Sequence, residues 1–286
     1  MPTALRRLAP CVALLLLLAG CGAPPEDGGG PSVEMPALET KADSVAMTLV
    51  DGHGGLAAWA SAPYLRFDFG IDRGETQQVA ARHLWNRQTG DYRAEWTQGE
   101  DSTYVALFNV DMFGEGASEP AGTAGEVYLN GTAVADSSAH AQLMQTAQQR
   151  FVNDSYWLLA PLKVFDPGVN RSYVADSSTA THDVLSLTFG AVGLTPGDQY
   201  WLYVNKETGQ LDRWAFRLQS MGEDAAPRFF DWTEDYQDFD VPAGTVSLSA
   251  RKSASGGPFA IVFPALEVPS SVDDALFTDP QPRLTE

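Results

Sequence analysis

Basic residues and cysteine are both scarce in this chain of 286 residues. Its 18 Lys and Arg are outnumbered by 37 Asp and Glu, which gives a formal net charge of −19. An acidic excess of this size repels phosphate groups, so nucleic acid and anionic lipid headgroups are disfavoured as partners. The two cysteines, Cys11 and Cys21, both fall within the first 21 residues. No disulfide cross-links the rest of the chain, so its stability must come from packing.

Recognisable catalytic and metal-binding patterns are also missing. The four histidines are scattered, with no second ligand at the spacing that a zinc site requires. No Gly-X-Ser-X-Gly nucleophile elbow and no phosphate-cradling glycine loop occurs. His83 falls on the apolar side of a predicted strand, where a hydrogen-bonded core histidine is the simpler interpretation and a catalytic base the alternative. We expect no enzyme activity, no catalytic residues, no bound metal and no cofactor.

No apolar run is long enough to cross a membrane as a permanent helix. The most apolar one, residues 8–18, follows two arginines and is typical of an export signal. It ends in Leu18, Ala19, Gly20 and Cys21, which resembles the lipobox of bacterial lipoproteins. That resemblance implies cleavage before Cys21, diacylglycerol on its sulfur and acylation of its new amino group. The alternative is an ordinary secretory signal in which Cys21 is incidental.

The residues after Cys21 indicate a tether and a location. Residues 22–31 combine Gly, Pro, Glu and Asp with almost no large apolar side chain, as flexible linkers do. Gly22 replaces the aspartate that retains lipoproteins in the inner membrane, so the resemblance favours lipid anchoring in the outer membrane of a bacterial cell envelope. We divide the chain into a signal peptide (residues 1–20), a tether (21–40), one domain (41–268) and a polar C-terminal tail (269–286), and we expect the tail to fray.

Alternating apolar and polar residues predict antiparallel strands through most of the domain. In the clearest example, Leu65, Phe67 and Phe69 alternate with polar residues. The same period recurs at residues 79–85, 104–110, 127–129, 185–189, 201–203 and 214–218. Two turns, at residues 86–90 and 205–209, share the order Asn, basic, polar, Thr, Gly, and a final glycine suits the positive φ that closes such a turn.

Helical spacing occurs in two places. Residues 41–59 predict a helix, a break at glycines and a short second turn. Residues 137–152 predict an amphipathic helix, which passes into a strongly apolar segment that stops near Pro161. Together these patterns predict an α+β fold in which a large twisted antiparallel sheet forms an unclosed β-barrel, with helices packed on its concave face.

Four groups of short motifs lie between residues 41 and 218. They are HGG at 53–55 with Trp59, LWNR at 84–87 with TGDYR at 89–93, NDSYWLL at 153–159 with DPGV at 166–169, and LTPGD at 194–198 with YW at 200–201. This set resembles a group of uncharacterised bacterial lipoproteins with the LolA/LolB-like fold, an unclosed β-barrel with helices as a lid. The resemblance implies binding of an acyl chain or another apolar molecule between sheet and lid, and it implies no chemistry. A membrane anchor favours an acceptor-like or sensor-like role over a soluble shuttle.

Large apolar side chains supply the candidate ligand contacts. They are Phe151, Trp157, Leu158 and Leu159 near the central helix and Trp201 on a strand. Three interpretations of residues 157–159 stay open: a ligand lid, a loop that touches the membrane, and ordinary core. The alternative function is a non-catalytic structural or interaction lipoprotein with a filled core, whose protein partner the sequence does not identify.

Overall fold

The computed structural model describes residues 33–113, 125–190, 195, 197–222 and 224–284. The described residues form three α-helices and sixteen strands. The helices are α1 (Lys41–Asp51), α2 (Gly55–Ser61) and α3 (Ser137–Leu159). The strands are β1 (Tyr64–Asp72), β2 (Gln77–Asn86), β3 (Asp91–Gln98), β4 (Ser102–Asn109), β5 (Glu126–Leu129), β6 (Thr132–Ala133), β7 (Val169–Tyr173), β8 (His182–Phe189), β9 (Gln199–Asn205), β10 (Leu211–Arg217), β11 (Arg228–Asp231), β12 (Tyr236–Val241), β13 (Gly244–Ser249), β14 (Arg251–Ala254), β15 (Ala260–Val262) and β16 (Leu266–Glu267).

Fourteen of these strands form one antiparallel sheet. Its order is β6-β5-β4-β3-β2-β1-β15-β14-β11-β10-β9-β8-β7, with β16 beside β1, while β12 and β13 form a separate hairpin. Two meanders, β1–β6 and β7–β11, are therefore joined through β14 and β15. Within the described residues β6 and β7 are the two edges, so the sheet is open. The α+β fold with a large, unclosed antiparallel sheet is confirmed.

The two predicted turns make the same hydrogen bonds. In each, the asparagine side-chain oxygen accepts from the backbone N–H groups two and three residues later, at 2.9–3.2 Å. The glycine N–H donates to the asparagine carbonyl at 2.9 Å, from Gly90 to Asn86 and from Gly209 to Asn205. Gly90 has a φ of 78° and Gly209 a φ of 75°, the left-handed conformation that glycine adopts at least cost.

The N-terminal helix pair is confirmed, with its break at the predicted glycines. Thr40 begins α1 with a capping box: its hydroxyl accepts from the Asp43 backbone N–H, and the Asp43 carboxylate accepts from the Thr40 backbone N–H, both at 3.1 Å. Gly54, with a φ of 105°, precedes α2. A Cβ at Gly54 would lie 2.0 Å from the Thr245 carbonyl oxygen, so this break also lets the backbone approach β13 closely.

The central helix is longer than predicted. We expected it to end near Val152, but α3 continues through the polar residues Asn153 and Asp154 to Leu159. The reason is tertiary, because the Asp154 carboxylate has a partner in the core: its Oδ2 lies 3.2 Å from Nε2 of His83 on β2. Pro161 follows in a 3-10 turn, where proline is tolerated.

The helices and one face of the sheet enclose two adjoining apolar cores. The larger core lies between α1, α2, the end of α3 and strands β1 and β7–β16, and the smaller one lies between the first half of α3 and β2–β5. Trp85 packs against both. One core face on so large a sheet explains why the alternation of apolar residues in the sequence is so regular.

His83 is a hydrogen-bonded core histidine. Its side chain is fully buried, and Nδ1 lies 2.9 Å from the hydroxyl of Tyr92 while Nε2 faces Asp154. The ring also stacks on Phe67, with 4.5 Å between ring centroids. All of its polar atoms are used within the core, so the simpler of the two sequence interpretations agrees with its surroundings.

The C-terminal tail packs against the outer face of β3, contrary to the expected fraying. The Arg93 guanidinium donates to the carbonyls of Leu276 and Asp279, each at 2.7 Å, and Leu284 is 6 % exposed. The side chain that makes these hydrogen bonds is charged, so the pattern of apolar residues in the sequence does not reveal the contact.

The predicted signal peptide, the lipid attachment site Cys21 and residues 21–32 of the predicted tether lie outside the described residues. Among the helices that are described, none combines the length and the apolar character needed to span a membrane.

Candidate functional site

A cleft of about 310 Å³ lies between the second half of α3 and the ends of β8, β9 and β10. Half of the residues that line it are aromatic. The aromatic side chains are Tyr156, Trp157, Phe189, Tyr200, Trp214 and Phe216. Val152 and Leu218 add aliphatic surface, and Asn153, Thr195, Asp198 and Ser220 add polar groups.

Helical spacing aligns the α3 side of the cleft. Val152 and Tyr156 are four residues apart, as are Asn153 and Trp157, so the two pairs form one strip along the helix. This strip exists only because α3 continues past Val152.

Strand alternation and register align the opposite wall. Tyr200 on β9 lies directly opposite Phe216 on β10, and Trp214 is two residues before Phe216 on the same face. Phe189, at the end of β8, contacts the Tyr200 ring with 5.5 Å between centroids. The sheet thus presents a continuous aromatic surface to α3.

The aromatic rings pack edge to face. Trp157 lies 4.6 Å from Trp214 and 4.9 Å from Phe230, measured between ring centroids. Tyr156 lies 5.6 Å from Tyr200 in a T-shaped arrangement. Such contacts hold large side chains in fixed orientations, so the cleft wall is preorganised.

Asp198 is the charged side chain among the described residues that line the cleft. The residue is only 3 % exposed. Its carboxylate accepts hydrogen bonds from the Thr195 hydroxyl at 2.5 Å and the Gln219 backbone N–H at 2.8 Å, and the Tyr200 hydroxyl is 3.5 Å away. All three neighbours donate, as expected around an ionised carboxylate.

The two tyrosine hydroxyls of the cleft stay protonated at physiological pH. Burial raises the pKa of Tyr156 well above its ordinary value of 10.0, with a smaller contribution from Tyr200. Burial also raises the pKa of Tyr200, and the nearby Asp198 raises it further. Both side chains therefore present a neutral ring with a polar tip.

One of the five apolar candidates from the sequence borders this cleft. That residue is Trp157. Leu158 and Leu159 are core residues, each 1 % exposed, and residues 157–159 belong to helix α3 rather than to a loop. Phe151 packs in the smaller core against Trp85 and Tyr92.

Trp201, which we expected on the cavity side of its strand, lies on the opposite face of the sheet. Along β9 the core-facing residues are Tyr200, Leu202 and Val204, and Trp201 alternates with them. Both Tyr200 and Trp201 are aromatic, so the sequence around them supports either alternation. Leu202 and Val204 lie on the same strand face as Tyr200, and their burial shows that this is the face turned towards the core.

The structure also reveals cleft residues that sequence reasoning missed. Tyr156 and Asn153 were hidden by ending the helix too early, whereas Trp214 and Phe216 were recognised only as strand residues. The described residues contain no group of three or more His, Cys, Asp or Glu side chains placed to hold a metal ion.

No protein-family model and no curated protein matches the chain. Similar solved structures exist. One is a DUF1329 family protein from Desulfovibrio piger, with a TM-score of 0.36 and 11 % identity over 82 % of this chain and 94 % of that one. Another is a domain named for outer membrane lipoprotein sorting, from Vibrio parahaemolyticus, with a TM-score of 0.37 and 8 % identity over the same shares of the two chains.

Proposed function

We propose that this protein binds an apolar or lipid-like molecule in the cleft between α3 and strands β8–β10. One observation carries the proposal: about 310 Å³ of space is walled by six aromatic side chains at the edge of a packed core. Small-molecule sites occupy about 300–1,000 Å³, so this one suits a single acyl chain or a small amphiphile. The proposal assigns binding without catalysis.

We also propose that the protein acts as a lipoprotein of the bacterial envelope, with the outer membrane as the favoured location. The Leu-Ala-Gly-Cys sequence at residues 18–21, placed after an arginine-led apolar run, supports this. Acyl chains at Cys21 would hold the domain at the membrane. Metabolic labelling with a palmitate analogue tests the anchor, and the label should be lost in Cys21→Ser.

A different observation favours the alternative function of a non-catalytic interaction protein. The larger core fills the space between α1, α2 and the sheet, so much of the helix-covered face is occupied by the protein's own side chains. A protein that functions by binding a partner at its surface needs no internal cavity, so a filled core is consistent with this alternative.

Native mass spectrometry of the full-length Cys21→Ser chain, followed by solvent extraction, separates the two functions. The protein should be exported to the envelope before purification, so that it meets its own ligands. A bound apolar molecule supports the binding proposal and identifies the ligand. A stable, folded protein without one supports the interaction proposal.

Trp157→Ala and Trp201→Ala form a matched pair for locating the ligand. Both remove a partly buried tryptophan, but only Trp157 borders the cleft. We expect Trp157→Ala to weaken ligand binding by about tenfold or more, and Trp201→Ala to leave it unchanged. Binding is normalised to the folded fraction, measured by circular dichroism. Equal losses in both variants would contradict the assigned site.

A further inference from the structure

Asp198 differs from every other buried carboxylate in the described part of the chain. There are five such carboxylates, and four of them form an ion pair or a histidine contact. The four pairs are Asp43 with Arg171, Asp68 with Arg66, Glu95 with Arg93, and Asp154 with His83. Asp198 takes part in none of the ion pairs formed by the described residues.

A buried carboxylate without a cation is costly, because burial removes water and leaves the negative charge without compensation. The hydroxyl of Thr195 and the backbone N–H of Gln219 offset part of that cost by donating hydrogen bonds. Neither brings a positive charge. Asp198 lines the cleft, so a cation that enters the cleft can supply the missing charge.

The aromatic rings beside Asp198 also favour a cationic ligand. Tyr156, Phe189 and Tyr200 contact each other pairwise with centroid distances of 5.5–5.9 Å and interplanar angles of 64–86°. The planes of these three lining rings are therefore steeply inclined to one another. An aromatic face carries negative charge density and attracts ammonium groups, most strongly where water is excluded.

The combination of a buried carboxylate and aromatic rings disfavours an anionic ligand. A fatty-acid carboxylate placed beside Asp198 would meet a like charge in a site of low polarity, and the −19 formal net charge of the chain adds to that repulsion. A neutral alkyl chain would fill the apolar space but leave Asp198 uncompensated.

We propose that the cleft selects amphiphiles whose polar end is a protonated amine or a quaternary ammonium group. Asp198 and the rings of Tyr156 and Tyr200 receive the cation, and the apolar part lies against Trp157 and Trp214. This inference rests on the proposed binding function and names the ligand class of the same site.

Three probes with the same ten-carbon chain test the selectivity: decyltrimethylammonium, 1-decanol and decanoate. Each is titrated into the full-length Cys21→Ser chain below its micelle concentration, with binding followed by calorimetry and by quenching of tryptophan fluorescence. We expect the cation to bind about tenfold or more tightly than 1-decanol, and decanoate to bind most weakly.

Asp198→Asn is the decisive variant, because it keeps the size of the side chain and removes the charge. Its preference for the cation over 1-decanol should fall to about threefold or less. Asp238→Asn removes an exposed carboxylate on β12 and serves as the matched control, with unchanged preference expected. Tyr156→Leu keeps Asp198 and the apolar bulk, so it should lower the preference while changing 1-decanol affinity little. It also covers the case in which Asp198→Asn does not fold.

The outcomes separate this inference from the function on which it rests. Equal affinity for all three probes, or a full cation preference in folded Asp198→Asn or Tyr156→Leu, overturns the inference and leaves apolar binding standing. Failure of every probe to bind overturns both.

Discussion

The side chains of Arg93 and Glu95 form a fully buried ion pair on the outer face of β3, with Nε and Oε1 2.5 Å apart. The pair also holds the C-terminal tail. Arg93 donates to three tail carbonyls, including that of Gln281, and the Glu95 carboxylate accepts from the backbone N–H groups of Arg283 (2.8 Å) and Leu284 (3.1 Å). These two charged residues thus make five hydrogen bonds to the tail.

Arg93→Met should destabilise the protein by about 3–5 kcal/mol, because it leaves Glu95 buried without its cation. It should also release the tail to digestion by carboxypeptidase. Arg213→Met is the control, because Arg213 pairs with Asp231 at 2.6 Å while remaining 45 % exposed, and an exposed pair contributes about 1 kcal/mol or less. Urea unfolding measures both costs. Similar losses in the two variants would show that the buried ion pair contributes no more to stability than the exposed one.

Stability should fall in acid through His53. The pKa of this histidine is lowered from 6.5 to about 4, mainly by burial and in smaller part by the positive charge of Lys252, against the opposing effect of the hydrogen bond to the Leu49 carbonyl. Between pH 6.5 and 4 the unfolded chain takes up a proton that the folded one refuses. The histidine's contribution is therefore complete above pH 6.5 and declines by about 3 kcal/mol as the pH falls to 4.

His53→Gln should flatten this pH dependence, since glutamine does not titrate and can still donate to the Leu49 carbonyl. The free energies of unfolding of both proteins are compared at pH 4 to 8, with pH 8 as the reference at which histidine is neutral in either state. Parallel curves would contradict the assignment.

Lys252 should make the protein more stable in mild alkali. Its ammonium group is fully buried over the rings of Phe263 (4.3 Å) and Trp232 (4.6 Å) and donates to the Ser249 carbonyl. Burial lowers its pKa well below 10.5, so the folded chain loses this proton before the unfolded one does. The contribution to stability is complete above pH 10.5 and is lost as the pH falls through the folded-state pKa.

The free energy of unfolding of wild type relative to Lys252→Met should therefore rise as the pH increases towards 10.5. Methionine keeps a similar length and cannot titrate, so the difference isolates the amine. A difference that stays constant with pH would rule out a perturbed lysine.

Three glycines with nearly equal φ should respond differently to alanine. Gly99 (φ 75°) has open space where a Cβ would lie, so Gly99→Ala costs the backbone strain alone, about 1 kcal/mol. A Cβ at Gly90 would lie 2.7 Å from the Asn109 side-chain oxygen. A Cβ at Gly209 would lie 2.6 Å from the Thr48 carbonyl of α1, where backbone would have to move.

We expect the loss of stability to increase from Gly99→Ala to Gly90→Ala to Gly209→Ala, with about 3 kcal/mol or more for the last. Thermal unfolding of the three variants gives the order. Equal losses of stability would show that the contact of α1 with the turn at residues 205–209 does not constrain Gly209.

Local patterns predicted the parts of the fold that local interactions create. The period of two located strands β1, β2, β4 and β10, and the Asn-to-Gly turns closed with the hydrogen bonds that their residues suggest. The same patterns failed where a contact with a residue distant in the sequence determines the local structure. Asp154 continues α3 because His83 meets it from β2, and no neighbour in the sequence reveals that partner.

By itself, the sequence determined the class of fold and the helix pair at the N-terminus, because periodicity and capping act over a few residues. Only the tertiary structure decided that Tyr200 rather than Trp201 faces α3, that Asp198 is buried with no ion-pair partner among the described residues, and that the C-terminal tail packs on β3. Those features depend on which strand faces and chain segments meet across the fold. The candidate site is made almost entirely of such long-range contacts.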